Sequence, residues 1–158
     1  MKQILVAAAL LLSTFFTMAN SSNEPIKDNV NPHIKQEFNK KFPSAQYTVW
    51  SNMSSEGLYI VRFVYHAETM IAYVDVDGGI IATARTIAID KLPFTVNQTL
   101  IDEYSGFETR ESMELVLHGE LNYLFVVENA KVKLTVLING SGMAREMKKE
   151  KVKTVNKL

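Results

Sequence analysis

The chain has 158 residues, 47% of them apolar, and its 17 Lys and Arg balance 17 Asp and Glu. Neutral charge argues against a nucleic-acid binder, which carries a basic excess. The absence of cysteine excludes disulfide staples, thiolate metal sites, cysteine nucleophiles, iron–sulfur clusters and a lipid-anchored lipoprotein.

Residues 1–19 read as a secretory signal peptide. Lys2 supplies the positive end, residues 4–12 form an unbroken apolar run, and Thr17-Met18-Ala19 is a small-x-small cleavage site. The run is too short to span about 30 Å of hydrocarbon, so no membrane anchor survives cleavage before Asn20. The expected compartment is therefore periplasmic or extracellular. An exported chain without disulfides depends on core burial alone, and a chain of this size buries roughly two thirds of its unfolded surface. Residues 20–31 are polar and read as a disordered lead-in, leaving 32–158 as the domain, long enough for one unit or two small ones.

A helix is expected from 33 to 42. Asn31 is a good N-cap, Pro32 suits the first turn, and Ile34, Phe38 and Phe42 make one apolar stripe before Pro43. Strands are expected at 46–52, 58–66, 69–76 and 79–89. On the second of these, Tyr59, Val61, Phe63 and Tyr65 form an all-apolar row suited to packing on the helix. Asp77-Gly78 reads as a tight two-residue hairpin turn. A second helix is expected over 95–104. Thr95 and Gln98 fit a capping box, Val96, Leu100 and Tyr104 form the stripe with Ile101 widening it, and Gly106 suits the residue after the C-cap. Strands at 107–117, 121–128 and 131–138 follow, with turns at His118-Gly119, Asn129-Ala130 and Asn139-Gly140, and the chain ends in a strand or frayed segment from Met143.

The halves match at an offset of 62 residues. Ile34, Phe38 and Phe42 map onto Val96, Leu100 and Tyr104, and Asp77-Gly78 onto Asn139-Gly140, while Tyr59 reaches Tyr123 only with two residues inserted. Such a spacing is too long for a solenoid and predicts two tandem units, about 32–91 and 92–158. The expected fold is α+β: two helix-plus-antiparallel-strand units forming a curved antiparallel sheet with both helices on one face. The opposite face is left solvated or used.

Several of these residues carry a family resemblance. They are Phe42-Pro43, Trp50, Gly57-x-Tyr59-x-Val61-x-Phe63, Asp75-x-Asp77-Gly78-Gly79, Leu92-Pro93 and Tyr104-Ser105-Gly106-Phe107. Over about 32–138 the chain resembles the PepSY-like, β-lactamase-inhibitor-protein-like (BLIP-like) family of exported bacterial proteins. The resemblance implies a non-enzymatic protein with no cofactor. Relatives include protein inhibitors whose concave sheet face receives an enzyme's loop and domains thought to restrain peptidases. No inhibitory residue motif is present to carry over, and fold alone does not give function.

Chemistry-bearing patterns are sparse. Asp75-Val76-Asp77-Gly78-Gly79 fails as a calcium loop, because setting Gly78 at position six puts Tyr73 at position one and Ala84 at position twelve. His33, His66 and His118 form no ligand pair at i+2 or i+4, so no metal site is expected. Residues 145–158 hold six basic and two acidic residues, which reads as a solvated edge strand or as a patch for an anionic surface.

The expected activity is binding of another, unidentified protein through the sheet face away from the helices. Trp50, Arg62 and Arg85 are its candidate contact residues, being types that anchor interfaces. Two alternatives are a small-ligand or signal-binding protein of the cell envelope and an enzyme of cystatin-like architecture using Asp75 or His66. An apolar cavity with convergent ionisable groups would favour either of these. The compartment is checked by reading the N-terminus of the exported protein, which should begin at or near Asn20. Membrane-bound protein retaining Met1 would refute it.

Overall fold

The computed structural model describes residues 30–53 and 57–152. The signal peptide, most of the lead-in, and residues 54–56 of the first hairpin turn lie outside the described residues.

Helix α1 (Pro32–Lys41) starts as its sequence demands. The Asn31 side chain accepts a hydrogen bond from the His33 N–H at 2.9 Å, and Pro32 sits where no N–H is needed. Val30, expected in the lead-in, is instead buried in the same apolar cluster as Ile34 and Phe38. Helix α2 (Phe94–Tyr104) follows a single 3₁₀ turn at Ile89–Lys91.

The expected capping box of α2 does not form. Pro93 is the N-cap, Thr95 Oγ1 donates to the Gly140 carbonyl at 3.0 Å, and Gln98 donates to Asp102. Docking of a neighbouring turn has taken the threonine. Gly106 is not among the positive-φ residues, so it is not a left-handed cap.

Eight strands form one antiparallel sheet in chain order: β1 (Gln46–Met53), β2 (Leu58–Tyr65), β3 (Glu68–Asp75), β4 (Ile80–Thr86), β5 (Glu108–Leu117), β6 (Glu120–Glu128), β7 (Val132–Asn139) and β8 (Ala144–Lys151). Side chains alternate between faces. On one face Val61, Phe63, Ala72 and Val74 pack with Ile34 and Phe38 of α1. Farther along, Tyr123, Phe125, Val127, Leu134, Val136 and Ile138 pack with Val96, Leu100 and Tyr104 of α2. Both helices therefore cover the same face. Ile101, expected to widen the buried stripe, is 55% exposed.

The sheet curves toward its open face. Leu137 of β7 and Met147 of β8 pack against a cluster drawn from β2 to β5 (Ile60, Tyr73, Ala82, Ala84, Leu115 and Leu117). Strands lie about 4.8 Å apart. A flat sheet would hold Met147 too far from that cluster to touch it.

Each helix is held by the last hairpin turn of its own unit. The links between β3 and β4 and between β7 and β8 are four residues long, not two as expected. Asp75 Oδ1 accepts the N–H groups of Asp77 and Gly79, and Asn139 Oδ1 those of Ser141 and Met143. The left-handed residues are Gly78 and Gly142, each with φ +87°. Asp75 thus matches Asn139, and Gly78 matches Gly142, at an offset of 64 residues. The two-residue insertion between the halves persists through the hairpin, and the tight-turn match at 62 is corrected accordingly. A Cβ on Gly78 would stand 2.7 Å from Glu37 Cβ, and one on Gly142 would stand 3.0 Å from Thr99 Oγ1. Glu37 and Thr99 are themselves 62 residues apart.

Three expectations follow for stability. Phe38→Ala should cost about 3–5 kcal/mol, a usual penalty for emptying a buried aromatic site. Gly78→Ala should cost more than about 1 kcal/mol, since both φ and the facing helix oppose a side chain. Gly106→Ala, with nothing within 4 Å of the added carbon, should be neutral or slightly stabilising. Denaturant midpoints at constant m-value measure all three.

Candidate functional site

Strand register decides where each candidate contact residue points. Trp50 pairs with Val61 and so faces the helices. It is 8% exposed, and its ring meets Phe38 edge-on at 5.2 Å. The expectation that Trp50 lies on the open face is therefore corrected: it is core. A bulge between Gln46 and Val49, where Tyr47 takes φ 52°, sets the phase of β1. No composition or periodicity signal marks that bulge.

Arg85 is corrected likewise. It pairs with Met70 and Glu114, and Glu114 pairs with Tyr123 of the α2 cluster, so Arg85 faces the helix side. Its Nε donates to Glu114 at 2.9 Å and its Nη1 to Glu68 at 2.5 Å. Glu114 first, and then Glu68, hold the guanidinium charged well above its ordinary range. Burial pushes the nearby Tyr123 phenol up, and the Glu114 carboxylate adds to the effect. Arg85, Glu68 and Glu114 border a groove of about 400 Å³ on the helix-bearing face, with Tyr65, His66 and Met70 also lining it.

His66 belongs to a strained two-residue turn. His66 and Ala67 have φ 50° and 65°, the signature of a type I′ hairpin that favours Asn-Gly. The His66 ring packs edge-on against Tyr65 at 4.1 Å. Asp75, the other residue weighed for catalysis, has its carboxylate engaged by the Asp77 and Gly79 amides.

Only Arg62, of the three candidates, occupies the open face. It is exposed and pairs with Val49 on one side and Ile71 on the other. It borders a second groove, of about 420 Å³, with Thr69, Ile71, Thr86, Arg110 and Met113. Arg110 is paired with Glu108 at 2.6 Å and more loosely with Glu128 at 3.8 Å. The groove opens beside the buried strip of Tyr73, Ala82, Ala84 and Leu115. That strip escaped the sequence reading, although β2 shows its trace: Leu58 and Ile60 make the second face of the strand apolar too, as in a strand buried on both sides.

No family model and no curated protein sequence matches the chain. Solved structures do. A BLIP-like protein from Bacteroides fragilis superposes with TM-score 0.66 at 16% identity, over 84% of this chain and 89% of that one. A DUF2874 family protein from Bacteroides uniformis gives 0.67 at 17% identity, over 79% and 91%. A protein from Bacteroides eggerthii, provisionally assigned to the periplasm, gives 0.66 at 14% identity, over 77% and 88%. These likenesses establish a BLIP-like fold. None of them is described as PepSY-like.

The strained turn yields a measurable expectation. Changing His66-Ala67 to Asn-Gly should stabilise the protein by about 1–2 kcal/mol, the cost of holding ordinary residues in the left-handed region. A lower urea midpoint would mean that the His66–Tyr65 contact outweighs the backbone strain.

Proposed function

We propose that this chain is an exported, non-catalytic binding module that takes a segment of another protein against the open face of its curved sheet. The observation that carries the reading is the composition of that face. An exposed arginine, Arg62, stands beside exposed Val49 and a groove floored by Ile71, Ala84 and Met113, with a self-buried apolar strip behind. Arginine at the edge of an apolar floor is a usual interface anchor, able to pair a partner carboxylate while the floor receives apolar side chains. A shallow depression with an apolar floor and arginines at its rim, of which Arg110 is already paired with Glu108, suits a loop better than a drug-sized ligand, which is normally enclosed on most sides.

The BLIP-like likeness supports this reading through fold alone. Export is supported by the expected signal peptide and by the fold likeness to a protein provisionally assigned to the periplasm. Among the described residues no helix is long and apolar enough to cross a membrane. Restraint or inhibition of an envelope enzyme is the specific role proposed.

The small-ligand alternative rests on the groove of the helix-bearing face. Its ionised side chains are already satisfied by one another, since Arg85 bonds both Glu68 and Glu114. A ligand would have to displace an existing pair, so this reading is the less supported.

Affinity capture from the native envelope fraction tests the proposal. Arg62→Glu should abolish recovery of a partner that wild type captures. Arg62→Ala should leave stability within about 0.5 kcal/mol of wild type, as exposed substitutions do. Equal capture by wild type and Arg62→Glu would remove the open face from consideration.

A further inference from the structure

Among the described residues the sheet is open and ends in two unpaired edges, and they differ. The outer strand β8 reads AREMKKEK, with Arg145, Lys148, Lys149 and Lys151 among its eight residues. Lysines on an edge discourage pairing with another strand, and here they outweigh Glu146 and Glu150 to leave the edge at net +2. The other outer strand, β1, reads QYTVWSNM and carries no Asp, Glu, Lys or Arg. Among the described residues β1 pairs with β2 alone. Beyond the bulge its register is regular from Val49 to Met53, so alternate N–H and C=O groups of this stretch point outward without a partner strand. Val49 is 60% exposed and Tyr47 80% exposed, which adds apolar surface to that edge.

We propose that β1 is a self-association edge, at which a second copy of this chain pairs its own β1 antiparallel about a two-fold axis. The occupant follows from charge and symmetry. An antiparallel edge is complementary to itself, and an uncharged strand meets its copy without repulsion, whereas β8, with four basic and two acidic residues, brings a net charge of +2 to its copy. The contact is isologous and closes at two copies, because each copy spends its only uncharged edge and retains β8 as a guarded one. Alternation keeps Val49 and Ser51 of both copies on the open face, so apolar Val49 surface is shielded beside the seam. Trp50 and Asn52 stay on the helix side. A five-residue ladder is a small interface, which makes the dimer reversible and concentration-dependent. This inference does not rest on the binding role proposed for Arg62.

The test is sedimentation velocity of the mature chain over a concentration series, paired with hydrogen exchange of the outward-pointing amides within 49–53. A monomer–dimer equilibrium is expected, with amide protection in β1 rising as dimer forms. Val49→Lys adds a lysine guard at each end of the ladder and should weaken the dimer by about tenfold or more. Lys149→Glu, on the other edge, should leave it unchanged. A chain that stays monomeric at every concentration overturns the proposal. So does a dimer that tolerates Val49→Lys and leaves those outward-pointing amides exchanging freely. Protection of those amides independent of concentration also overturns it, since a segment of the same chain would then cover the edge. Circular dichroism of Val49→Lys distinguishes lost pairing from lost folding, and Ser51→Lys is the second edge variant should Val49→Lys fail to fold.

Discussion

The ring of Phe38 decides which side of this protein is its inside. It is fully buried and meets Phe42, Trp50 and Phe63 at centroid separations near 5 Å. The edge-to-face contacts with Trp50 and Phe63 add about 0.5–1.5 kcal/mol each to the area they bury. Because strand residues alternate, fixing Phe63 and Trp50 toward the helix sends Arg62 and Val49 the other way. Every later assignment inherits that choice through the ladder: Ala72 and Val74 in, Ile71 and Tyr73 out, and so on to β8. Val96, Leu100 and Tyr104 do the same for the second unit.

The two units are joined by a short ladder from Ala82–Thr86 to Met113–Leu117. Arg85 ties it on the helix side by bonding Glu68 of one unit and Glu114 of the other. Ser112 supplements it, donating its hydroxyl to the Ile87 carbonyl at 2.5 Å while its own carbonyl accepts the Ile87 N–H. What looked like a contact residue in the sequence is thus a clamp between halves. A lone arginine in a strand and an arginine between two glutamates differ only in register, which single-strand patterns do not report.

Local chemistry was legible where it acts over a few residues. The stripe of α1, its Asn31 cap, the apolar row of β2 and the turns at His118 and Asn129 all fall where the residues point. The failures share a cause. Thr95 looks like a cap until the turn at Gly140 takes its hydroxyl, and Trp50 looks like a surface anchor until the β1 bulge turns it inward. Both outcomes depend on contacts distant in the chain. Gly78 is legible as a turn residue, whereas the left-handed glycine of the second turn is Gly142 and not Gly140 of the expected Asn139-Gly140 pair. The further duty of both glycines, letting the turn approach a helix more closely than a Cβ permits, appears only when Glu37 and Thr99 are seen against them.

The self-covered strip on the open face gives the sheet a preferred bend. Ile60, Tyr73, Leu115 and Leu117 stay dry because Leu137 and Met147 reach across to them, and that reach exists only while the strands are curled. Flattening the sheet would wet the strip at about 25 cal/mol for each Å² uncovered, so curvature behaves as a stiff spring whose restoring force is hydrophobic. Anything seated in the hollow must match the resting radius or supply its own apolar cover in place of Met147. A guest that did neither would have to work against the fold.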